Sequence, residues 1–335
     1  MDDGLGQRGE FGIIDLFREQ GGAAHAWVST GIGDDCAVLD TGGGTSLLVT
    51  TDMLAEGVHF LRSGSSPWRL GWKSLAVNIS DIAAMGGEPA AAFLALGLTP
   101  DIQEKFLLEF RDGLFACAAE YRVDLLGGDT IRTRSDLVFS LTLLGRAASG
   151  RVVKRSGARP GDRVMLGGPV GESAAGLQLL GGATGNLDSA DREQLLRAHL
   201  EPHPQVALGR LLARNGLARA MIDVSDGLLQ DLGHICRESG VGADIDTGRL
   251  PLSDALCRAA ESAGADPLEW ALRGGEDYVL LFCVPPGLEE PARSAGRGEP
   301  GIDLLTIGEI TSGPGIRVCR DGIWTETDPA GFTHF

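Results

Sequence analysis

Aromatic residues make up only 5% of this 335-residue chain, with 2 Tyr, 5 Trp and 11 Phe. Its cores must therefore be built from Leu, Ala, Val and Ile, with many tight backbone approaches among 50 glycines. Positive charge is also short: 29 Lys and Arg against 46 Asp and Glu leave a net −17. That balance argues against nucleic acid or an anionic membrane as the main partner. It does not exclude an anionic nucleotide, because a bound metal can invert the local field. No apolar run is long enough for a transmembrane helix. The six cysteines, Cys36, Cys117, Cys236, Cys257, Cys283 and Cys319, form no CxxC pair and lie in mostly apolar surroundings. Free, buried thiols are expected rather than a disulfide framework. Met1-Asp2-Asp3-Gly4 carries neither a basic region nor an apolar stretch, so the cytoplasm is the expected location.

Several nucleotide and catalytic signatures are missing too. There is no Gly-x-x-x-x-Gly-Lys-Ser/Thr loop, and Gly71-Trp72-Lys73-Ser74 lacks its glycine spacing and reads as the start of an ordinary helix. Gly31-Ile32-Gly33 runs into Asp34 and Asp35, which would repel a pyrophosphate unless a metal intervened. The protein-kinase loops and the Gly-x-Ser-x-Gly elbow are absent, and no Cys/His spacing suits zinc.

What the chain does have is aspartate at the ends of apolar segments. Asp35 follows Gly31-Ile32-Gly33, Asp52 follows Leu47-Leu48-Val49-Thr50-Thr51, and Asp81 precedes Ile82-Ala83-Ala84-Met85-Gly86-Gly87. Asp129 follows Leu125-Leu126-Gly127-Gly128, while Asp223 and Asp226 flank Val224-Ser225. Buried carboxylates are unfavourable unless a positive charge neutralises them. A hard divalent cation such as Mg²⁺, with phosphate oxygens completing its octahedron, meets that need. Thr50 and Thr51 can add oxygen ligands. Any one of these aspartates could equally be a cap or turn residue. Asp34 and Asp35 should point opposite ways on an extended chain, one supporting the other.

The length suggests two domains. Strands and helices interleave, giving an α/β chain of α+β type. The punctuated turn 155–162 divides residues 1–150 from 151–335. Helices are expected over 10–20, 68–85, 100–121, 174–180, 206–214 and 226–238. Strands are expected over 36–39, 47–51, 90–98, 123–126, 139–145, 163–166, 218–222 and 277–284, with two short ones near 316–319 and 322–325. Residues 182–194 read as a loop and 285–301 as a mobile segment.

Four further residues have two readings each. His59 is a packed turn residue or a phosphate contact. Arg155 is a surface arginine or a phosphoryl clamp. Glu276, beside Asp277, is a structural cap at a strand start or meets a cationic or amino-bearing ring. Phe332 stacks on such a ring or simply packs.

Taken in order, GIGDDCAV (31–38), TTDMLAEGVHF (50–60), SLAVNISDIAAMGGEP (74–89), LLGGDT (125–130) and RSGARPGD (155–162) resemble the thiamine-monophosphate kinase family. IDVSDGLLQDLGHICRESGVGADID (222–246), LPLS (250–253), GGEDYVLLF (274–282) and GFTHF (331–335) continue the resemblance over nearly the whole chain. GIGDD and GGDT are shared with a superfamily that includes aminoimidazole ribonucleotide synthetase and selenophosphate synthetase. TTDMLAEGVHF, SDIAAMG, GGEDY and the terminal segment point to the kinase.

The resemblance implies ATP-dependent, Mg²⁺-requiring phosphorylation of thiamine monophosphate to thiamine diphosphate by direct transfer, without a covalent nucleophile. It implies metal ligands at Asp35, Thr50, Thr51, Asp52, Asp81, Asp129, Asp223 and Asp226. Gly128, Asp129, Arg155 and Ser225 would meet the nucleotide, and His59, Glu276 and Phe332 the thiamine phosphate. The N-terminal domain would bind Mg-ATP and pair its sheet across a homodimer, and the C-terminal domain would complete the cleft. A sister synthetase and a non-catalytic nucleotide- or thiamine-phosphate-binding module are the competing readings. Selenophosphate synthesis would want a reactive Cys near the N-terminal glycine-rich region, and no Cys precedes Cys36.

Overall fold

The computed structural model describes residues 9–21, 25–182, 187–298 and 301–333. Their strands fall into two mixed sheets, each with helices packed against it. The first sheet comprises β1 (Val28–Thr30), β2 (Ala37–Asp40), β3 (Thr45–Ala55), β4 (Glu88–Leu98), β5 (Asp124–Arg132) and β6 (Val138–Ala148), in the order β1-β2-β3-β6-β4-β5. The second comprises β7 (Arg163–Leu166), β8 (Ala220–Asp223), β9 (Gly242–Asp246), β10 (Leu280–Val284), β11 (Leu305–Thr311), β12 (Gly315–Arg320) and β13 (Ile323–Thr327). Its order is β13-β12-β9-β11-β7-β10-β8.

Helix α1 (Gly9–Gln20) precedes the first sheet, and α2 (Pro67–Ala84) and α3 (Glu104–Tyr121) pack on it. Ser66 caps α2 by accepting the Arg69 N–H at 3.3 Å, and Pro67 occupies the first turn, where no N–H partner is needed. Gly86, at φ +70°, follows its end. The expected stripe of Leu75, Ile79 and Ile82 is fully buried against the sheet. Gly71 and Gly113 bring α2 and α3 into backbone contact. A Cβ at Gly71 would lie 2.0 Å from the Phe110 oxygen, and one at Gly113 1.8 Å from the Trp68 oxygen. On its other side α2 meets α6 (Val206–Asn215) and β8, so one rigid helix touches both halves of the chain.

The remaining helices are α4 (Glu172–Leu180), α5 (Ser189–Leu200), α7 (Leu228–Ser239), α8 (Asp254–Ala263), α9 (Pro267–Arg273) and α10 (Glu289–Arg297). Three expectations need correction. Residues 189–194 are not loop but the first half of α5, capped by Asp188, whose side chain accepts the Asp191 N–H at 2.8 Å. Most of 285–301 is not irregular, because 289–297 form α10, which buries Ala292 and Gly296. The strand expected over 277–284 begins only at Leu280, because Glu276 and Tyr278 hold positive φ (66° and 51°) and cannot be extended there. Residues 183–186, 299–300 and 334–335, parts of those segments and of the terminal motif, lie outside the described residues, as does the Met1–Gly4 segment. All six thiols are free, but Cys257 is exposed rather than buried. No helix among the described residues is long and apolar enough to cross a membrane.

Candidate active site

Four elements converge on one carboxylate group. Asp35 precedes β2, Thr50 and Asp52 lie on β3, Asp81 is one turn from the end of α2, and Asp223 is the last residue of β8. Asp35, Asp81 and Asp223 each offer an oxygen within 4.8 Å of the others. Thr50 donates its hydroxyl to Asp81 Oδ2. Asn78 Oδ1 accepts the Asp52 amide at 3.1 Å, tying α2 to β3 beside the cluster.

The electrostatics are those of anions lacking a counter-charge. Burial, then the neighbouring Asp35, pushes Asp34 and Asp223 up to about 7. Burial, then Asp226 and Asp35, lifts Asp52 to about 6. Asp81 is held well above the usual carboxylate range by burial, then by Asp52, Asp223 and Asp35. Asp35 is raised by burial despite Arg155, whose Nε and Nη2 donate to Asp35 Oδ1 at 2.9 and 2.6 Å. Oδ2 of Asp35 and Oδ2 of Asp223 are buried with no hydrogen-bond partner. Buried carboxylate oxygens without donors fit a cation, and the all-oxygen set suits a hard one. Asp34 plays the supporting role, its Oδ1 accepting the amides of Asp35 and Arg155 at 3.1 and 3.2 Å.

Asp226 stands beside this cluster at the turn into α7, with Asp231 and His234 in ligand range of it. Asp231 has a different task. Its Oδ2 accepts the amides of Ser225, Asp226 and Gly227 at 3.0, 3.2 and 3.1 Å. That turn therefore has its N–H groups committed internally. Phe332 reaches the same place, its amide donating to the Asp226 carbonyl at 2.9 Å while its ring stays half-exposed.

Gly128 and Asp129 lie apart from the cluster. They sit on β5, the sheet's far edge, and register runs from Met53 on β3 through Ser140 and Ala95 to Asp129. Three strand spacings of about 4.8 Å separate them, so Asp129 does not share the Asp35–Asp81–Asp223 position within one chain. Gly128 admits no side chain, since a Cβ would lie 1.7 Å from the Leu94 oxygen. Thr51 turns its hydroxyl to the Leu141 carbonyl at 2.9 Å.

A second group forms about two turns before Asp81 on α2, around Lys73. Glu276 Oε1 lies 2.8 Å from Lys73 Nζ, and its Oε2 lies 3.2 Å from His199 Nδ1. His59 Nδ1 accepts the Ala55 amide at 3.0 Å, and His59 adds a favourable field at Glu276. Burial pushes the Glu276 carboxyl up, but Lys73 and then His199 outweigh it and hold it below its ordinary value. Asp277 faces elsewhere, accepting the Gly171 and Ser173 amides at the start of α4 at 2.7 and 3.2 Å. Sequence reasoning missed Lys73, His199 and Asp231. The available signal for Lys73 was a lone cation inside Leu70-Gly71-Trp72-Lys73-Ser74-Leu75-Ala76-Val77, a stretch too apolar for an exposed helix face.

A model of the AIR synthase related protein N-terminal domain matches residues 33–147, and one of its C-terminal domain matches 159–320. The thiamine-monophosphate kinase of Escherichia coli strain K12 is 43% identical over 328 residues, covering 98% of each chain. The solved structure of AaThiL complexed with AMPPCP and TMP superposes with a TM-score of 0.86 at 36% identity, covering 99% of each chain. The crystal structure of thiamine-monophosphate kinase from Stenotrophomonas maltophilia K279a gives 0.76 at 39% identity, covering 93% of this chain and 96% of that one. With its carboxylate cluster in place and relatives of this identity along its whole length, the chain belongs to the thiamine-monophosphate kinase family of AIR synthase-related proteins.

Proposed function

We propose that the protein phosphorylates thiamine monophosphate with ATP, giving thiamine diphosphate and ADP by direct in-line transfer. The observation that carries this reading is the buried Asp35–Asp81–Asp223 cluster with its two unpartnered oxygens. Relatives bearing the kinase name, and a similar structure that holds AMPPCP and TMP, support it. Asp35, Thr50, Thr51, Asp52, Asp81, Asp223 and Asp226 would hold several Mg²⁺ ions together with Asp129. Mg²⁺, when bound, supplies charge neutralisation and orientation for the phosphates.

The chain's own residues do the positioning. Arg155 holds Asp35 at the cluster and is placed to meet the nucleotide phosphates beside it. Asp231 fixes the turn carrying Ser225 and Asp226, and with its amides occupied Ser225 would meet the nucleotide through its hydroxyl. Gly128, beside Asp129 on β5, would meet the nucleotide together with it. His59, Glu276 and Phe332 would receive the thiamine phosphate. Direct transfer is favoured because, among the described residues, no activated nucleophile stands beside the carboxylates. Cys36 is the nearby thiol, and burial, then Asp81 and Asp35, keeps it protonated.

The domain of residues 1–150 would carry Mg-ATP binding and dimerisation, and residues 151–335 would complete the cleft. Among the described residues β5 has no strand on its outer side, where Leu126 and Ile131 are exposed, and β2 covers only residues 46–49 of β3, leaving 50–54 without a strand partner on that side. Pairing β5 of a second copy with that free half would cover both edges. It would also bring Asp129 of the partner subunit beside Thr51 and Asp52, where a single chain cannot place it.

Incubation with ATP, Mg²⁺ and thiamine monophosphate, followed by separation of products, tests the reading. ADP and thiamine diphosphate are expected in equal amounts. AMP and phosphate without thiamine diphosphate would move the chain toward selenophosphate-type synthesis.

A further inference from the structure

The charge arrangement around Lys73 is unusual for a lysine. Its side chain is 2% exposed, in the middle of the helix that joins both halves of the molecule. A lysine so enclosed needs a compensating anion. Among the described residues Glu276 alone supplies one, at 2.8 Å. Glu276 is itself held in an unfavoured conformation. Its φ is +66°, and Tyr278 follows at +51°. The strain is imposed by the frame: the Glu276 amide donates to the Ser225 carbonyl at 2.7 Å and the Tyr278 amide to the Val224 carbonyl at 2.8 Å. Asp277 between them is locked to the start of α4. Non-glycine residues held at positive φ by surrounding structure are found where a side chain must be aimed.

The backbone thus aims Glu276 away from the Asp277 side, and Lys73 and His199 meet its two oxygens from α2 and α5. About 12 Å along α2, Asp81 belongs to the carboxylate cluster. One helix therefore sets the spacing between the carboxylate cluster and the Glu276 carboxylate.

We infer that Lys73 is a positioning residue for the acceptor: its buried ammonium holds the Glu276 carboxylate in the place where it meets the cationic ring of thiamine monophosphate. This rests on the acceptor assignment proposed above and adds to it a residue that need not touch the substrate. The groups facing Glu276 are Lys73 from α2, His199 from α5 and His59 from the segment after β3, with Asp277 and Tyr278 adjacent in sequence. Burial drives His199 down to about 4, with Lys73 adding to the effect against Glu276, so it is neutral near pH 7. Lys73 is then the cationic side chain that meets the carboxylate, at 2.8 Å. Without it, burial would be opposed only by the two histidines, and the Glu276 carboxyl would move upward.

The test is a double-mutant cycle with Lys73→Met and Glu276→Gln, read by equilibrium binding of thiamine monophosphate in Mg-ADP and by steady-state kinetics with each substrate varied. Each single variant should weaken thiamine monophosphate binding roughly 5- to 150-fold, the range for a buried hydrogen bond to a charged group. The KM for ATP should stay within about twofold. The double variant should be no weaker than the poorer single one, because the second change removes a contact already lost. Lys73→Gln, which keeps a donor but no charge, covers the case in which the Met variant does not fold. Its thiamine monophosphate KM, referenced to wild type at each pH, should worsen on acidification while that for ATP does not. Equal losses for both substrates, independent effects in the cycle, or a flat pH profile would overturn the role of Lys73. Failure of the wild type to bind thiamine monophosphate would overturn the acceptor assignment and this inference with it. Wild-type binding that Lys73→Met and Lys73→Gln leave unchanged would overturn this inference alone.

Discussion

Two regions of the molecule bury carboxylates, and they solve the problem in opposite ways. Around Glu276 the chain supplies its own cation, Lys73, and the carboxyl is held below its ordinary value. Around Asp35, Asp81 and Asp223 it supplies too little: Arg155 meets Asp35, yet all three carboxyls stay raised and two oxygens have no donor. A chain able to place a lysine so well at one site, and leaving the other short of charge some 12 Å along the same helix, marks the second site as one completed from outside. The first is an ion pair whose cation the chain supplies itself. The second is anionic surface kept for a ligand.

Asp223→Asn should break the comparison most sharply. Loss of one cluster carboxylate is expected to lower turnover about 100-fold or more, the scale for removing a positioned electrostatic contact. In EDTA the same change relieves repulsion and should leave the thermal midpoint unchanged or raised. Asp223 is the cleaner choice than Asp35, whose removal would strand Arg155. Turnover near the wild-type value would remove the cluster from the reaction.

At the other region, Glu276→Gln should reduce the specificity constant for thiamine monophosphate roughly 5- to 150-fold and leave that for ATP nearly unchanged. It should also destabilise the fold, by about 2 kcal/mol or more. This falls below the roughly 3–5 kcal/mol of a fully enclosed pair because Glu276 keeps 23% of its side chain in solvent. A fall in ATP use as large as that in thiamine monophosphate use would make Glu276 a structural residue.

The pH dependence of stability separates the regions again. Asp34, Asp52 and Asp223 are raised to about 7, 6 and 7, burial being the first cause in each case. The folded state then binds protons more tightly than the unfolded one between about pH 4 and pH 7. Stability from these groups is present at the acid end and is lost as pH rises through that window. In EDTA the thermal midpoint should fall from about pH 5 to pH 8, and Mg²⁺ with ATP should flatten the slope. A slope identical with and without Mg²⁺ and ATP would detach the cluster from the cation.

The smallest effect is expected at Asp277. Asp277→Ala removes the acceptor for two amides at the start of α4 and should lower stability by about 1 kcal/mol, without changing the ratio of the two substrates' KM values. A selective loss of thiamine monophosphate use would place Asp277 with Glu276 instead.

Much of this was legible in the sequence where one local signal sufficed. The stripe of Leu75, Ile79 and Ile82 and the Gly86-Gly87 stop together defined most of α2. The aspartates ending apolar segments marked the cluster, because few structural reasons put so many carboxylates there. What was not legible depends on distant partners. α5 hides in a polar stretch because Arg258 from α8 and Ser173 from α4 satisfy its buried Asp191 and His199. The irregular backbone at Glu276 to Tyr278 is imposed by the Val224 and Ser225 carbonyls, about fifty positions away in sequence. Lys73 read as a helix start because its partner lies 203 positions on, at Glu276. The separation of Asp129 from the other aspartates follows from strand order, which no short motif encodes.

The most direct test compares the thermal midpoints of Asp223→Asn and Lys73→Met with wild type in EDTA near pH 8. One substitution removes a charge that the chain leaves uncompensated, and the other removes a charge that compensates. The midpoint should be unchanged or raised in the first variant and clearly lowered in the second. A comparable drop in both would contradict the division, because the Asp35–Asp81–Asp223 cluster would then be a satisfied part of the fold rather than a site waiting for a cation.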